Sequence, residues 1–154
     1  MNAKKILFPT DFSTCSDAGL EQATALARDT GARLLIVHVE EPPAAYAGGE
    51  MYYGMIEPDN AAMQQMLAAV VPSDPSVAYE HRLLTGDPAD RIVELADEEH
   101  CDLIVMGTHG RTGFKRLLMG SVAEAVVRKA NCPVLIYKQP HVAAAKEMAT
   151  AASS

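Results

Sequence analysis

The chain has 154 residues, of which 49% are hydrophobic and 21% are charged, and its net charge is −7. This length suffices for one domain with a hydrophobic core, and the proportions are typical of a globular protein. The acidic balance argues against a general nucleic-acid-binding surface, and no apolar run approaches the roughly 20 residues of a membrane-spanning helix.

The N-terminus and the cysteines bear on where the protein resides. The first residues contain two lysines but no long apolar core, so we expect no signal peptide. Cys15, Cys101 and Cys132 are odd in number, and no pair has the spacing of metal ligands. Both features favour a cytoplasmic protein with reduced thiols.

Strand and helix patterns alternate in the first part of the chain. We predict a short strand from Lys4 to Pro9 and a second strand from Arg33 to Val39, which is nearly continuously apolar and therefore covered on both faces. Between them we predict a helix that begins near Ser13 and stops at Gly31. The apolar face of this helix consists of Leu20, Ala23, Leu26 and Ala27.

A long segment from Glu40 to Asn60 interrupts this alternation. It is rich in proline and glycine, and its larger side chains are Tyr46, Met51, Tyr52, Tyr53 and Met55. Loops of this length are uncommon in compact domains and are often functional or mobile. Two interpretations stay open: a lid or partner surface built on tyrosine and methionine, or an insertion whose apolar groups rest on the domain.

The middle of the chain resumes the alternation. We predict a helix from about Asn60 to Val71, an edge strand from Val77 to Leu84, and a helix that begins at Asp87 and Pro88. The buried faces of the two helices are predicted to be Met63, Met66, Leu67 and Val70 in the first and Ile92, Leu95 and Ala96 in the second. The acidic run from Asp97 to Glu99 is interpreted as a solvated face.

The last part of the chain completes an α/β pattern. A strand from Leu103 to Met106 precedes a glycine-rich loop, a helix from about Ser121 to Ala130 and a strand from Pro133 to Tyr137. Five strands that alternate with four helices predict a three-layer fold, in which a parallel sheet carries helices on both faces. We therefore expect a single domain over residues 1–139, with a long loop at 40–60 and a flexible tail at 140–154.

The glycine-rich segment carries the main functional signal. Its glycines follow the spacing Gly107-x2-Gly110-x9-Gly120, and Ser121 comes next. Glycine has no Cβ, so such a loop can bring backbone N–H groups close to an anion. The helix that begins near Ser121 adds unpaired N–H groups and a partial positive charge. We interpret Gly107, Gly110, Gly120 and Ser121 as a cradle for phosphate.

Two alternatives to the phosphate cradle remain open. Ser121 and Glu124 have the spacing of a capping box, in which both side chains satisfy N–H groups of their own helix. Gly107 and Gly110 could instead be plain turn residues.

Four segments in the same order resemble the universal stress proteins of the ATP-binding type. They are the first strand and turn Ile6–Ser13, the pair His38-Val39, the glycine-rich segment, and Asn131–Ile136. The likeness covers residues 4 to about 138. It implies a Rossmann-like, adenine nucleotide alpha hydrolase-like fold with strand order 3-2-1-4-5. Ligands of such sheets bind at the switch point, here between the first and fourth strands.

The resemblance implies ATP as the ligand, with Mg²⁺ or Mn²⁺ carried by its phosphates. The implied binding residues are Pro9, Thr10, Asp11 and Val39 at the adenosine end, Met106 and Gly107 near the ribose, and His109, Gly110, Gly120, Ser121, Val122 and Ala123 toward the phosphates. Arg111 is added as a candidate because it is a cation of the same loop and could reach the phosphates. Ala123 lacks the hydroxyl that the family often has there, so only its N–H is available. Asp11 is interpreted as a hydrogen-bond partner of adenine or ribose, as a cap of the first helix, or as both.

The predicted function is that of an ATP-binding regulatory protein of the stress response, in which the nucleotide acts as a switch or sensor. No paired carboxylates for Mg²⁺ and no residue that positions a water are evident, so hydrolysis should be slow or absent and no residue is assigned a catalytic role. Two rivals stay open: a genuine ATPase or phosphotransferase, and an interaction module that works without nucleotide.

The expected partners follow from the resemblance and from missing motifs. The family commonly forms homodimers through the last strand, and Val134 to Tyr137 as an uncovered edge is compatible with that. A regulatory protein partner is also expected, and the sequence does not identify it. The chain has no P-loop, no dinucleotide fingerprint after the first strand and no G-x-S-x-G elbow. We therefore expect neither a P-loop enzyme, a dinucleotide oxidoreductase nor an α/β hydrolase.

Overall fold

The computed structural model describes residues 2–42, 60–108 and 119–138. In these ranges the chain forms β1 (Lys5–Pro9), α1 (Thr14–Thr30), β2 (Arg33–Glu40), α2 (Asn60–Ala68), β3 (Tyr79–Thr85), α3 (Pro88–Glu98), β4 (Leu103–Gly107), α4 (Ser121–Lys129) and β5 (Val134–Tyr137). The predicted alternation of strands and helices is confirmed. Most of the predicted long loop and all of the predicted tail lie outside the described residues.

The five strands form one parallel sheet in the order β3-β2-β1-β4-β5. This confirms the predicted order and places β3 and β5 at its edges. The backbone register pairs Pro9 with Val37 and Leu7 with Ile104. Since β2 and β4 lie on opposite sides of β1, the order in which strands are added to the sheet reverses there, and the carboxyl ends of these three parallel strands lie at one edge of the sheet.

Apolar layers cover both faces of the sheet and make the fold three-layered. Alternate residues of the central strands point to opposite faces, as Phe8 and Ile36 do on one side and Leu7 and Leu35 on the other. The first layer packs against α1 and α2, and the second packs against α3 and α4. Burial on both faces explains why β1, β2 and β4 are almost entirely apolar.

The helix ends follow their local sequence. Ser13 is the N-cap of α1, and its side chain accepts a hydrogen bond from the N–H of Ser16. Gly31 ends this helix with φ 74, a left-handed conformation that glycine adopts without strain. Asp87 caps α3 through the N–H of Asp90, and Pro88 occupies the first turn. The predicted caps and stop are therefore confirmed.

The predicted methionine stripe of α2 is wrong in part. Leu67 is buried and Val70 packs against the core, but Met66 is 43% exposed. The helix also ends at Ala68 rather than near Val71. Because α2 packs over the edge strand β3, the sheet covers only a narrow strip of the helix.

The predicted solvated acidic face is wrong for Glu99. Its carboxylate accepts a hydrogen bond from Lys5 Nζ at 2.8 Å and lies 3.5 Å from Arg82 Nη2. The bond with Lys5 lowers the pKa of the Glu99 carboxyl and raises the pKa of the Lys5 ammonium. Asp97 and Glu98, in contrast, are exposed as predicted. Glu99 differs because the end of α3 lies beside the start of β1.

The described residues include cysteines and four helices that bear on the compositional expectations. Cys101 and Cys132 are free, and burial raises the pKa of the Cys101 thiol to about 12, so that this thiol stays protonated at neutral pH. Among the described helices, none has both the length and the apolar character that crossing a membrane requires.

Candidate functional site

A cavity of about 570 Å³ opens at the carboxyl ends of β1, β2 and β4. We call it the switch-point cleft, and its size lies within the usual range of small-molecule sites. All candidate binding residues within the described ranges line it: Pro9, Thr10, Asp11, Val39, Met106, Gly107, Gly120, Ser121, Val122 and Ala123. The candidates His109, Gly110 and Arg111 lie outside the described residues.

One wall of the cleft is the N-terminus of α4. Its N-cap is Gly120, and no side chain caps the helix among the residues that the structure describes. The first bond of the helix runs from the N–H of Glu124 to the carbonyl of Gly120 at 3.0 Å. The N–H groups of Ser121, Val122 and Ala123 precede that bond and have no partner within the helix. They and the helix dipole make this wall favourable for an anion.

The capping-box alternative for Ser121 is wrong. Ser121 is the first helical residue rather than the N-cap, and its side chain is exposed. A capping box needs the serine at the N-cap, where its oxygen can reach the third N–H of the helix. Glycine at position 120 takes that place, so the helix has no side-chain oxygen at its cap.

The conformation of Gly120 does not demand glycine. Its φ of −60 and ψ of 157 are accessible to every residue, and serine or aspartate would cap the helix better. Glycine here leaves the start of α4 without a side chain at a position that lines the cleft. The Gly120 N–H donates to the carbonyl of Thr108 at 2.6 Å, and the Thr108 N–H donates to the carbonyl of Tyr137. These bonds fix the start of α4 against the ends of β4 and β5.

A second part of the lining is the turn between β1 and α1. Asp11 Oδ1 accepts hydrogen bonds from the Ser13 N–H at 3.0 Å and from the Ser16 hydroxyl at 2.6 Å. Ser13, not Asp11, is the N-cap of α1, so the direct capping role considered for Asp11 is wrong. Asp11 instead holds the turn in which the cap sits. Asp11 also lines the cleft, and its contact with a ligand stays a prediction.

His38 belongs to the site and was missed as a candidate. It lies near the end of β2, is 7% exposed and lines the cleft. Its Nδ1 is 2.8 Å from the carbonyl oxygen of Thr10, and its ring packs 4.3 Å from the ring of Phe12. Phe12 has φ 65, an uncommon conformation for a bulky residue, and its N–H donates to Thr10 Oγ1. A lone histidine in the apolar run from Arg33 to Val39 was the signal in the sequence.

Other lining residues were also not predicted: Ser16, Glu40, Glu41, Met63, Pro88, Ile92 and Thr108. Glu40, Glu41 and Thr108 directly extend predicted strand ends, so strand geometry alone could have suggested them. Met63, Pro88 and Ile92 come from helices that were read only for their core faces. Their contribution depends on how the helices sit over the sheet, which local periodicity does not determine.

The charges of the cleft are unevenly distributed. Asp11, Glu40 and Glu41 lie at the ends of β1 and β2, whereas the described wall on the β4 side is the positive end of α4. The ends of β2 and β4 are two strand spacings apart, about 10 Å. Among the described lining residues there is no lysine or arginine. The geometry suits a ligand with a neutral, donor-bearing part at β1 and β2 and an anionic part at α4.

Comparison with known proteins places this architecture in a family. The model of the universal stress protein family matches residues 2–138. Universal stress protein MJ0531 of Methanocaldococcus jannaschii is 35% identical over 144 residues, which cover 89% of this chain and 83% of the relative.

Solved structures agree with this match. The structure of the hypothetical protein MJ0577 superposes with a TM-score of 0.72 at 30% identity and covers 92% of this chain and 99% of that one. A universal stress protein in complex with cAMP superposes with a TM-score of 0.65 at 28% identity, over 90% and 98% of the two chains. Since the family model spans nearly all of the sequence, the chain belongs to the universal stress protein family.

Proposed function

We propose that the switch-point cleft binds ATP, with adenosine at the ends of β1 and β2 and the phosphates at the N-terminus of α4. The observation that carries this proposal is the convergence of Asp11, Val39, Gly107 and Gly120, far apart in sequence, on one cavity of about 570 Å³. Three strand ends and one helix start supply them. A related protein of known structure binds cAMP, which has an adenine base and a phosphate.

The charges of the cleft support this orientation of the ligand. Carboxylates repel phosphates, so the acidic side formed by Asp11, Glu40 and Glu41 favours the nucleoside. The unpaired N–H groups of α4 favour the phosphates. The reverse orientation would place anionic oxygens against three carboxylates and leave the helix N-terminus facing a neutral base.

We further propose that Mg²⁺ or Mn²⁺ enters with the phosphates rather than as a resident ion. Among the residues that the structure describes, no cluster of three or more histidine, cysteine, aspartate or glutamate side chains could hold a metal. The ion would screen the phosphate charges, and hydrolysis would be slow or absent. ATP would act as a switch that favours a state recognised by a regulatory protein partner.

Calorimetric titration of nucleotide-free protein with Mg-ATP tests the proposal, with AMP and GTP in parallel. We expect a dissociation constant for ATP in the micromolar range or tighter, which corresponds to about −8 kcal/mol or better. AMP should bind more weakly, because it lacks the phosphates that would contact α4. If no nucleotide releases or absorbs heat at several temperatures, the proposal is contradicted. An interaction module that works without nucleotide would then be the better hypothesis.

We also propose a homodimer formed through β5. This strand is an edge of the sheet, and its Leu135 is 40% exposed. On the neighbouring α4, Val127 is 45% exposed. An uncovered edge with exposed apolar side chains favours pairing with a second copy. Leu135→Lys is expected to convert the dimer to a monomer in sedimentation-velocity experiments, because it buries a charge in the interface. A wild-type protein that sediments as a monomer at high concentration would contradict this proposal.

A further inference from the structure

His38 lines the cleft and has one ring nitrogen, Nε2, that no described residue occupies. A carbonyl oxygen only accepts hydrogen bonds, so the 2.8 Å contact with the Thr10 carbonyl requires a proton on Nδ1. In the neutral ring Nε2 then carries a lone pair and acts as an acceptor. Within the part of the chain that the structure describes, Nε2 of His38 has no hydrogen-bond partner. In contrast, Nε2 of His81 on β3 lies 2.7 Å from the carbonyl of Val70.

The surroundings of the ring limit what Nε2 can meet. One side of the ring packs on Phe12, and Nδ1 is occupied by Thr10. The neighbouring strand residues Ile36 and Val37 are fully buried and apolar. Because His38 lines the cleft, its Nε2 edge is the polar part of the ring that remains for a molecule bound there.

We propose that His38 Nε2 accepts a hydrogen bond from the nucleoside part of the ligand, which makes His38 a further binding and specificity residue. This inference rests on the proposed function. Nε2 is not among the fully buried side-chain atoms that lack a partner in the described residues, so water can reach it when no ligand is bound. A ligand that covers Nε2 must therefore supply a donor, because a polar atom that is buried without a partner is costly. The donors of adenosine are the 6-amino group and the ribose hydroxyls, whereas a bare carbonyl, as at position 6 of guanine, would face an acceptor and be disfavoured.

Two substitutions separate the role of Nε2 from that of Nδ1. In His38→Asn the side-chain amide can still donate to the Thr10 carbonyl, but the acceptor at the Nε2 position is lost. In His38→Gln the amide oxygen reaches approximately the Nε2 position. Calorimetry with Mg-ATP should give about a tenfold loss of affinity for His38→Asn and a smaller loss for His38→Gln.

Analogues of ATP identify the donor. Wild type and His38→Asn are titrated with 2′-deoxyATP, 3′-deoxyATP and the triphosphate of purine riboside, which lacks the 6-amino group. The analogue that lacks the relevant donor should bind wild type and variant with equal affinity, while the other two keep the tenfold difference. Loss of affinity by the same factor for every analogue would overturn the inference, because it would indicate a structural effect.

A control at a second histidine excludes general destabilisation. His81 makes a hydrogen bond of its own but does not line the cleft, so His81→Asn should lower the melting temperature without changing ATP affinity. Wild-type affinity in His38→Asn would overturn the His38 inference alone. A wild-type protein that binds no nucleotide would overturn the proposed function, and the inference with it.

Discussion

Gly120→Asp is expected to stabilise the fold and to abolish tight ATP binding. Gly120 already has the extended backbone conformation of an N-cap, so the aspartate needs no rearrangement of the chain. Its carboxylate would accept hydrogen bonds from the first turn of α4 and would lie at the positive end of the helix dipole. The expected gain in the free energy of unfolding is about 0.5 to 1 kcal/mol.

The same carboxylate opposes phosphate binding. It would occupy the N–H groups of α4 that the phosphates are proposed to use, and it would bring a negative charge within about 4 Å of them. Two like charges at that distance repel by about 4 kcal/mol in a partly buried environment. Allowing for screening by the bound cation, we expect a loss of affinity of about 100-fold or more. Urea denaturation measures the stability, and calorimetry with Mg-ATP measures the affinity.

Gly120→Ser is the matched control for charge. Serine is also a good N-cap, but it is neutral and gains nothing from the helix dipole, so it should stabilise the fold by only about 0.3 kcal/mol. We expect its loss of ATP affinity to be well below that of Gly120→Asp. If Gly120→Asp binds ATP as tightly as the wild type does, the phosphates do not lie at the N-terminus of α4.

The fold could be predicted from the sequence because its signals are local and repeated. Each element has its own signal in the sequence, which does not depend on the rest of the chain. Examples are the apolar strand Arg33–Glu40, the N-caps Ser13 and Asp87, and the stop at Gly31. Alternation of strand and helix then restricts the sheet to parallel pairs with crossovers on both faces. The strand order itself came from the family resemblance, since several orders satisfy the same local pattern.

The candidate site could be predicted only where it depends on backbone position. The topology of a parallel sheet brings its strand ends together at one edge. The positions of Asp11, Val39, Gly107 and Gly120 at strand ends and at a helix start could therefore be predicted. Side chains that reach the cleft from a helix face, such as Met63, depend on how that helix lies across the sheet. His38 was missed because the sequence does not show that its Nδ1 contacts the Thr10 carbonyl, which leaves Nε2 as the nitrogen proposed to meet a ligand.

The errors share a physical cause. The exposed Met66, the paired Glu99 and the cap of α4 all depend on contacts between segments that are distant in the sequence. Hydrophobic periodicity indicates which residues can be buried, but an edge strand such as β3 leaves part of a helix uncovered. Likewise a capping box depends on where the helix begins, and here it begins one residue after Gly120.

Phe8→Ala is expected to destabilise the protein by about 4 kcal/mol, because large-to-small changes of buried phenylalanine leave a cavity. Phe8 is 1% exposed on β1, and α1 packs directly over it at Gly19. A Cβ placed on Gly19 would lie 3.2 Å from Cε2 and 3.6 Å from Cζ of Phe8. The ring is almost fully buried, so we expect it to shift only at a cost in packing. Gly19→Ala should therefore also destabilise, by about 1 kcal/mol after its gain in helix propensity.

A double-mutant cycle tests whether Phe8 and Gly19 depend on one another. Phe8→Leu removes the two ring atoms that a Cβ at position 19 would meet, and this variant is more certain to fold than Phe8→Ala. In that background Gly19→Ala should stabilise by about 1 kcal/mol, so the coupling energy from urea denaturation should be about 2 kcal/mol. Additive effects would show that the close approach of α1 to β1 does not depend on glycine.

ATP affinity distinguishes this glycine from the one at the cleft. Gly19 does not line the cavity, whereas Gly120 does. Gly19→Ala should lower the free energy of unfolding while ATP affinity stays within about twofold, a change of under 0.5 kcal/mol. Gly120→Asp, in contrast, should raise the free energy of unfolding and lower the affinity for ATP. If both substitutions weakened ATP binding equally, the affinity would depend on the packing of α1 against β1 and not specifically on the charge at the start of α4.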